Sequence, residues 1–317
     1  MLTTLLDPII LCFVAGLLAG ILKSDLRIPE ALYETLSIYL LLAIGLKGGI
    51  QLAQSELAQL LAPLTGTLFL GLLIPIIAFL ILFRLARFGR SDAAAVAAHY
   101  GSVSAVTFAV CLAFLERLGS SYEEYVTVLL VTLEVPAIAV GIGLARWGQK
   151  GGLRWKALLH EIFLGKSVFL LLAGLIIGTM AGPDGSSKIA PVFLDLFYGV
   201  LALFLLEMGL LTSRRLGALR QTGAFLVAFG IIMPLVSASL GILVGLAAGM
   251  SPGGATVLGT LAGSASYIAA PAAMRIAVPE ANPTLYLTAS LGITFPFNLV
   301  AGIPLYFWIA TLLDSWR

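Results

Sequence analysis

The chain is dominated by apolar runs that are too long and too poor in charge for a water-soluble fold. A helix crossing the hydrocarbon of a bilayer needs about 20 mostly apolar residues. Backbone in lipid must satisfy its own hydrogen bonds, so such runs become helices. Ten runs are found, at 8–22, 34–52, 60–83, 92–116, 122–146, 164–181, 189–211, 219–248, 254–275 and 283–312. They are long and do not alternate between apolar and polar, which excludes the strands of a membrane barrel. Composition agrees: 60% of the 317 residues are hydrophobic and 11% are charged, against about 25% charged in soluble domains. A secreted domain and a cytosolic enzyme are excluded. A net charge of +2 supplies no basic field to recruit nucleic acid. The expected fold is an all-α integral membrane protein with ten transmembrane helices.

The apolar stretch from Pro8 to Leu22 follows Asp7 rather than a basic segment. It therefore reads as a retained first membrane helix and not as a signal peptide. Cys12 and Cys111 lie inside apolar runs, with neither metal spacing nor a disulfide framework. His99 and His160 are too few and too scattered for a metal site.

Basic residues set the expected orientation. The loops after the first, third, fifth, seventh and ninth runs hold 14 of the 18 Lys and Arg residues, whereas the opposite loops hold Lys47, Arg117, Lys188 and Arg317. The first set is expected on the cytoplasmic side of the plasma (inner) membrane, with both termini outside the cytoplasm. The longest polar connection, 147–165, then lies in the cytoplasm and separates 1–146 from 166–317.

The two parts share an order of features. Gly101-Ser102-Val103-Ser104 recurs as Gly263-Ser264-Ala265-Ser266 at an offset of 162. Gly45-Leu46 corresponds to Gly209-Leu210, Pro75 to Pro234, and Glu134-Val135-Pro136 to Thr294-Phe295-Pro296. A repeat with five spans has an odd count, so its second copy enters the membrane from the other side. Such inverted repeats build midplane sites in secondary transporters.

The fourth and ninth runs each carry a small polar cluster where apolar residues would be cheaper. One is His99-Tyr100-Gly101-Ser102-Val103-Ser104 followed by Thr107; the other is Gly259 to Ser266 followed by Tyr267 and Pro271. Glycine and proline weaken helix interiors. A broken helix offers an N-terminus to an anion, and carbonyl ends and hydroxyls to Na⁺. Gly101, Ser102, Val103, Ser104, Thr107, Gly263, Ser264, Ala265, Ser266 and Tyr267 are thus the expected substrate site. Gly and Ser also line ordinary membrane-helix interfaces, which is the competing explanation.

Carboxylates within spans are expensive and are usually functional or paired. Glu134 precedes Pro136, which frees a backbone carbonyl, and a cation-coordinating role follows; a protonated carboxyl bonded to a neighbouring helix is the alternative. With Ser104, Ser266 and Asn298 it forms the expected sodium set. Glu207 is expected to pair with Lys47. His99 is expected to be a hydrogen-bonder at a helix entry, and Val278-Pro279-Glu280-Ala281-Asn282-Pro283 to be a connector.

At these stretches the chain resembles sodium-dependent bicarbonate transporters of the SbtA type. The resemblance rests on Ile28-Pro29-Glu30-Ala31, Ile44-Gly45-Leu46-Lys47-Gly48-Gly49, Gly101-Ser102-Val103-Ser104, Glu134-Val135-Pro136, Ala269-Ala270-Pro271 and Arg275 to Pro283. It implies ten helices in two inverted five-helix repeats, discontinuous helices 4 and 9 that bind substrate and Na⁺, a core domain moving against a scaffold domain, and a homotrimer. Cyanobacterial members have a long polar linker and a PII-like inhibitory partner; the short linker here speaks against such a partner. They also carry an aspartate where this chain has Tyr267.

The expected function is a Na⁺-coupled symporter for a small inorganic anion, with bicarbonate first. A permease for another small anion such as a monocarboxylate is the alternative, and an anion channel stands behind it. An embedded enzyme would need a His/Asp pair or a metal cluster, and the sequence offers neither.

Overall fold

The computed structural model describes residues 7–147, 160 and 163–316. Most of the polar connection, with Lys150, Arg154, Lys156 and Glu161, lies outside the described residues, as do residues 1–6 and 317. The helices are α1 (Pro8–Ile21), α2 (Glu30–Leu52), α3 (Leu57–Leu80), α4 (Arg90–Gly101), α5 (Ala105–Arg117), α6 (Val126–Arg146), α7 (Lys166–Ser186), α8 (Phe197–Ala247), α9 (Pro252–Ala262), α10 (Ala269–Ala277) and α11 (Pro283–Asp314). No strand occurs among the described residues.

Eight segments among the described residues are long and apolar enough to cross a membrane. They include α8 twice, because Gly223 (φ 78°, ψ 157°) interrupts it and leaves Phe197–Gly217 and Gly223–Ala247 as separate spans. The chain is therefore a multi-pass membrane protein. Three expected runs differ in form. The first is the 14-residue α1, the run at 92–116 is the interrupted pair α4 and α5, and the run at 254–275 is the interrupted pair α9 and α10.

Helix starts follow local chemistry. The Asp7 carboxylate accepts the Ile9 N–H, with Pro8 in the first turn of α1. Ser251 and Asn282 do the same for α9 and α11, each followed by proline. Such residues satisfy first-turn donors, and proline has no N–H to waste there. Val278 to Asn282 is the turn between α10 and α11, as expected.

The helices pack in two groups. In the first, α1 lies along the first half of α8, and α2 lies along α7. Both crossings are glycine-lined. A methyl group added at Gly49 would lie 2.2 Å from the Leu175 carbonyl oxygen, and one at Gly178 would lie 2.4 Å from the Leu46 carbonyl oxygen. At Gly209 it would be 2.2 Å from the Phe13 carbonyl oxygen. Lipid gives no hydrophobic drive between helices, so such close backbone contact supplies the dispersion energy. The second group contains α3, α4 and α6, which pack on one another, and α9 with α11 and the second half of α8. The Arg90–Arg117 segment is 89% buried, against 22% for Lys166–Ser186. The fourth run is therefore enclosed by protein, whereas α7 faces outward.

Polar ties close both ends. At one end Arg146 reaches the Ala277 carbonyl and lies 3.6 Å from Glu280, and the Asn282 N–H donates to Asp92 at 2.7 Å. At the other, Glu123 accepts the Ser251 N–H at 2.6 Å and Asp7 pairs with Arg117 at 3.1 Å.

The expected Lys47–Glu207 pair does not form. Lys47 Nζ instead binds Glu116 at 2.7 Å and lies over the Tyr198 ring. Tyr122 (2.9 Å) and Tyr198 also donate to Glu116. Glu207 lies nine residues beyond Tyr198 on α8, about 13 Å at 1.5 Å per residue, and is out of reach. Its Oε2 is buried without a partner.

Gly49→Ala should force α2 from α7 and lower stability by about 1–3 kcal/mol, as overpacking does. Thermal unfolding of the purified protein in detergent checks this: an unchanged midpoint would mean that the two backbones are not in close contact.

Candidate functional site

The two Gly/Ser clusters are helix breaks. The first helix, α4, stops at Gly101; Ser102 (φ −86°, ψ 175°) and Ser104 (φ −108°, ψ 108°) are extended, and α5 starts at Ala105. The second, α9, stops at Ala262, and α10 starts at Ala269. Glycine is required at both ends for close approach. A methyl group at Gly101 would lie 2.7 Å from Pro75, and one at Gly263 would lie 2.8 Å from the Pro234 carbonyl oxygen.

The breaks hold each other. The Ser266 N–H donates to the His99 carbonyl at 2.8 Å, and the Ser104 N–H donates to Ser264 Oγ at 3.0 Å. Ser264 Oγ donates on to the Leu261 carbonyl. Ser104 Oγ caps α5 by accepting the Thr107 N–H at 3.1 Å, accepts the Thr107 hydroxyl at 2.9 Å, and donates to the Tyr267 hydroxyl at 3.1 Å. Ser266 Oγ accepts the Ala270 N–H at 3.1 Å.

Asn298 supports the second break. Its Nδ2 donates to the Gly263 carbonyl at 2.9 Å, and its Oδ1 accepts the Tyr306 hydroxyl at 2.7 Å. His99 donates from Nδ1 to the Ala95 carbonyl at 2.6 Å and stacks on Tyr286. It is a hydrogen-bonder as expected, but at the exit of α4 rather than at an entry.

A small cavity of about 10 Å³ lies between the breaks, lined by Leu41, Val103, Ser104, Ala105, Glu134, Ser167, Ser266, Tyr267, Ile268 and Ala269. That is about the room of one water. Five of the expected residues meet there: Val103, Ser104, Glu134, Ser266 and Tyr267. Gly101, Ser102, Thr107, Gly263, Ser264, Ala265 and Asn298 do not line it and stand behind it in the breaks. Leu41 and Ser167, from α2 and α7, were not anticipated. Ser167 lies beside Lys166 at the edge of the polar connection, and only its hydroxyl in a first helical turn hinted at a site.

Ala105 and Ala269 are the first residues of α5 and α10, so two helix N-termini converge on the cavity. Glu134, 3% exposed and with Oε2 unpartnered, also lines the cavity. Pro136, which lacks an N–H, leaves the Thr132 carbonyl without its helical donor in the same helix. Ser102 Oγ is fully buried and also lacks a partner. Helix N-termini, hydroxyls and one carboxylate around one cavity are groups that can serve a small anion beside a cation. Among the described residues, no group of three His, Cys, Asp or Glu is placed to hold a metal ion. An alkali cation needs only hydroxyls, carbonyls and one carboxylate.

The family model described as the Na⁺-dependent bicarbonate transporter superfamily matches residues 8–311. No curated protein matches the chain.

Asn298→Ala should leave the Gly263 carbonyl and the Tyr306 hydroxyl buried without partners, costing about 1–3 kcal/mol for each. A lowered unfolding midpoint, rescued in part by Asn298→Gln, is the expected result; an unchanged midpoint would remove the holding role.

Proposed function

We propose, because the chain belongs to the Na⁺-dependent bicarbonate transporter superfamily, that it is a sodium-coupled symporter that moves bicarbonate by alternating access. The observation that carries this reading is the cavity at which two interrupted helices present their N-termini beside an unpaired, buried Glu134. The anion would lie between the first turns of α5 and α10, at Ala105 and Ala269, with the hydroxyls of Ser104 and Ser266, while Ser102, Thr107 and Ser264 stand behind them in the breaks. Na⁺ would take Glu134, Ser104 and Ser266. The Asn298 amide is already engaged on both sides, so we assign it to holding the second break rather than to the ion itself. Tyr267 adds no charge, so Glu134 is the carboxylate left to balance the cation.

Two inverted repeats, 1–146 and 166–317, with discontinuous helices 4 and 9 are part of this reading. It is supported by matching contacts at matching positions. Gly101 packs on Pro75 as Gly263 packs on Pro234. The start of α4 is tied to the turn before α11 through Asp92, and the start of α9 is tied to the turn before α6 through Glu123. These ties lie at opposite ends, as a two-fold axis in the membrane plane requires. The same reading includes a homotrimer in the plasma membrane, termini outside the cytoplasm, and a short linker that speaks against a PII-like partner.

A cavity of about 10 Å³ admits no bicarbonate, so entry requires Leu41 and Ser167 of the α1, α2 and α7 group to part from the breaks. This is the expected rocking of one group of helices against the other.

The deciding measurement is uptake of labelled bicarbonate into proteoliposomes with an inward Na⁺ gradient and without one. Gradient-dependent, saturable uptake is expected. Uptake that ignores the gradient would overturn the symport, and gradient-driven uptake of a short monocarboxylate alone would overturn the substrate. Ser104→Ala and Ser266→Ala should each reduce coupled uptake about tenfold or more, since each removes a site hydroxyl worth about 1.4 kcal/mol or more. If both leave it unchanged, the site lies elsewhere.

A further inference from the structure

A second cavity, of about 340 Å³, adjoins the small one and shares three wall residues with it, Ser167, Ile268 and Ala269. Its remaining lining comes from Glu34, Ile138, Gly165, Lys166, Val168, Ala272, Ala273 and Arg275. It therefore opens at the end of the molecule where α7 begins and α10 finishes, the end that carries the Arg146–Glu280 tie. The Lys47–Glu116–Tyr198 cluster lies at the opposite end. Ser167, Ile268 and Ala269 are thus the walls through which the two cavities meet.

The charges in this second cavity are uneven. Among the described residues, Lys166 and Arg275 contribute two positive groups and Glu34 one negative group, while Ile138, Val168, Ile268, Ala269, Ala272 and Ala273 make most of the remaining wall apolar. Arg275 lies beside the Tyr286 hydroxyl, on the helix that follows the turn. The pair Arg146 and Glu280 at the same end neutralise each other. A cleft with low-dielectric walls and an excess of one sign concentrates ions of the other sign and raises their encounter rate, by factors of roughly 10 to 1,000. We infer that this vestibule is a binding antechamber for small anions, and that Lys166 and Arg275 are the residues that give it that selectivity. It is wide enough for a hydrated bicarbonate-sized ion, which the inner cavity is not. As the anteroom of that inner cavity, it rests on the transport reading; as an anion-selective cleft, it does not.

The test uses charged thiol reagents, which report on the cleft without any transport. In full-length protein carrying Cys12→Ser and Cys111→Ala, the exposed vestibule residue Ala272 is replaced by cysteine, Ala272→Cys. Its rates of modification by an anionic sulfonatoethyl and a cationic trimethylammonium-ethyl methanethiosulfonate are compared, each relative to a free small thiol. Gly165→Cys, at the N-terminus of α7 with φ −59°, serves as a second reporter if the first variant does not fold. The anionic reagent should be favoured about fivefold or more. That preference should fall severalfold in Lys166→Gln and in Arg275→Gln, and again when ionic strength is raised. A cysteine that reacts with neither reagent, or a preference that both substitutions leave intact, would overturn the inference. In proteoliposomes the two glutamine variants should raise the half-saturating anion concentration on this side, with the Na⁺ dependence unchanged. Absence of Na⁺-driven uptake in the unmodified protein, with the reagent preference intact, would sink the transport reading alone.

Discussion

Interrupting a helix at membrane depth strips N–H and C=O groups of partners that lipid cannot replace. The rest of this structure follows from how that debt is met. The Ser266 N–H goes to the His99 carbonyl, the Ser104 N–H to Ser264, and the Gly263 carbonyl to Asn298. Each break is completed largely by the other break or by a helix of its own half. Neither could persist alone, so the two halves of the chain must come together before either break is stable. The enclosure of Arg90–Arg117 follows: a segment with backbone groups to satisfy cannot face lipid, and the alanines from Ala93 to Ala98 let the surrounding helices close over it.

Close approach is the complementary device. Where α2 meets α7 and α1 meets α8, glycine removes the side chain that would hold two backbones apart. At Gly16, Gly49, Gly178 and Gly209 the atom met is backbone, which cannot yield by changing rotamer; at Gly20 it is the Ser213 side chain. The breaks are instead held by side-chain hydrogen bonds. The small cavity takes its lining from α2 and α7 as well as from the breaks.

Much of this was legible in the sequence, because the signals are local. Charge-free runs mark spans, and Asp7, Ser251 and Asn282 before prolines mark starts. Gly101 to Ser104 and Gly263 to Ser266 mark breaks, since four small or polar residues in an apolar run have no cheap place in an intact helix. What was not legible depends on how distant helices approach. Leu41 and Ser167 reach the cavity only because α2 and α7 cross over it, and nothing in their own neighbourhoods says so. Lys47 was expected beside Glu207 because both lie in corresponding parts of the halves. The actual partner, Glu116, is chosen by height in the membrane, which a list of spans with uncertain ends does not give. Asn298 was placed in the expected sodium set, yet its two partners belong to the turn of Gly263 and to a tyrosine two helical turns on.

The Glu116 cluster has one more consequence. Its carboxylate is neutral in effect while Lys47 and Tyr198 cover it, and it joins α2, α5 and α8 through one group. Separating those helices strips away the ammonium and one phenol together and leaves only Tyr122, from its own stretch of chain. Glu116 therefore couples any separation of α2, α5 and α8 to the loss of two of its three partners, and a buried or half-buried carboxylate left that way is costly.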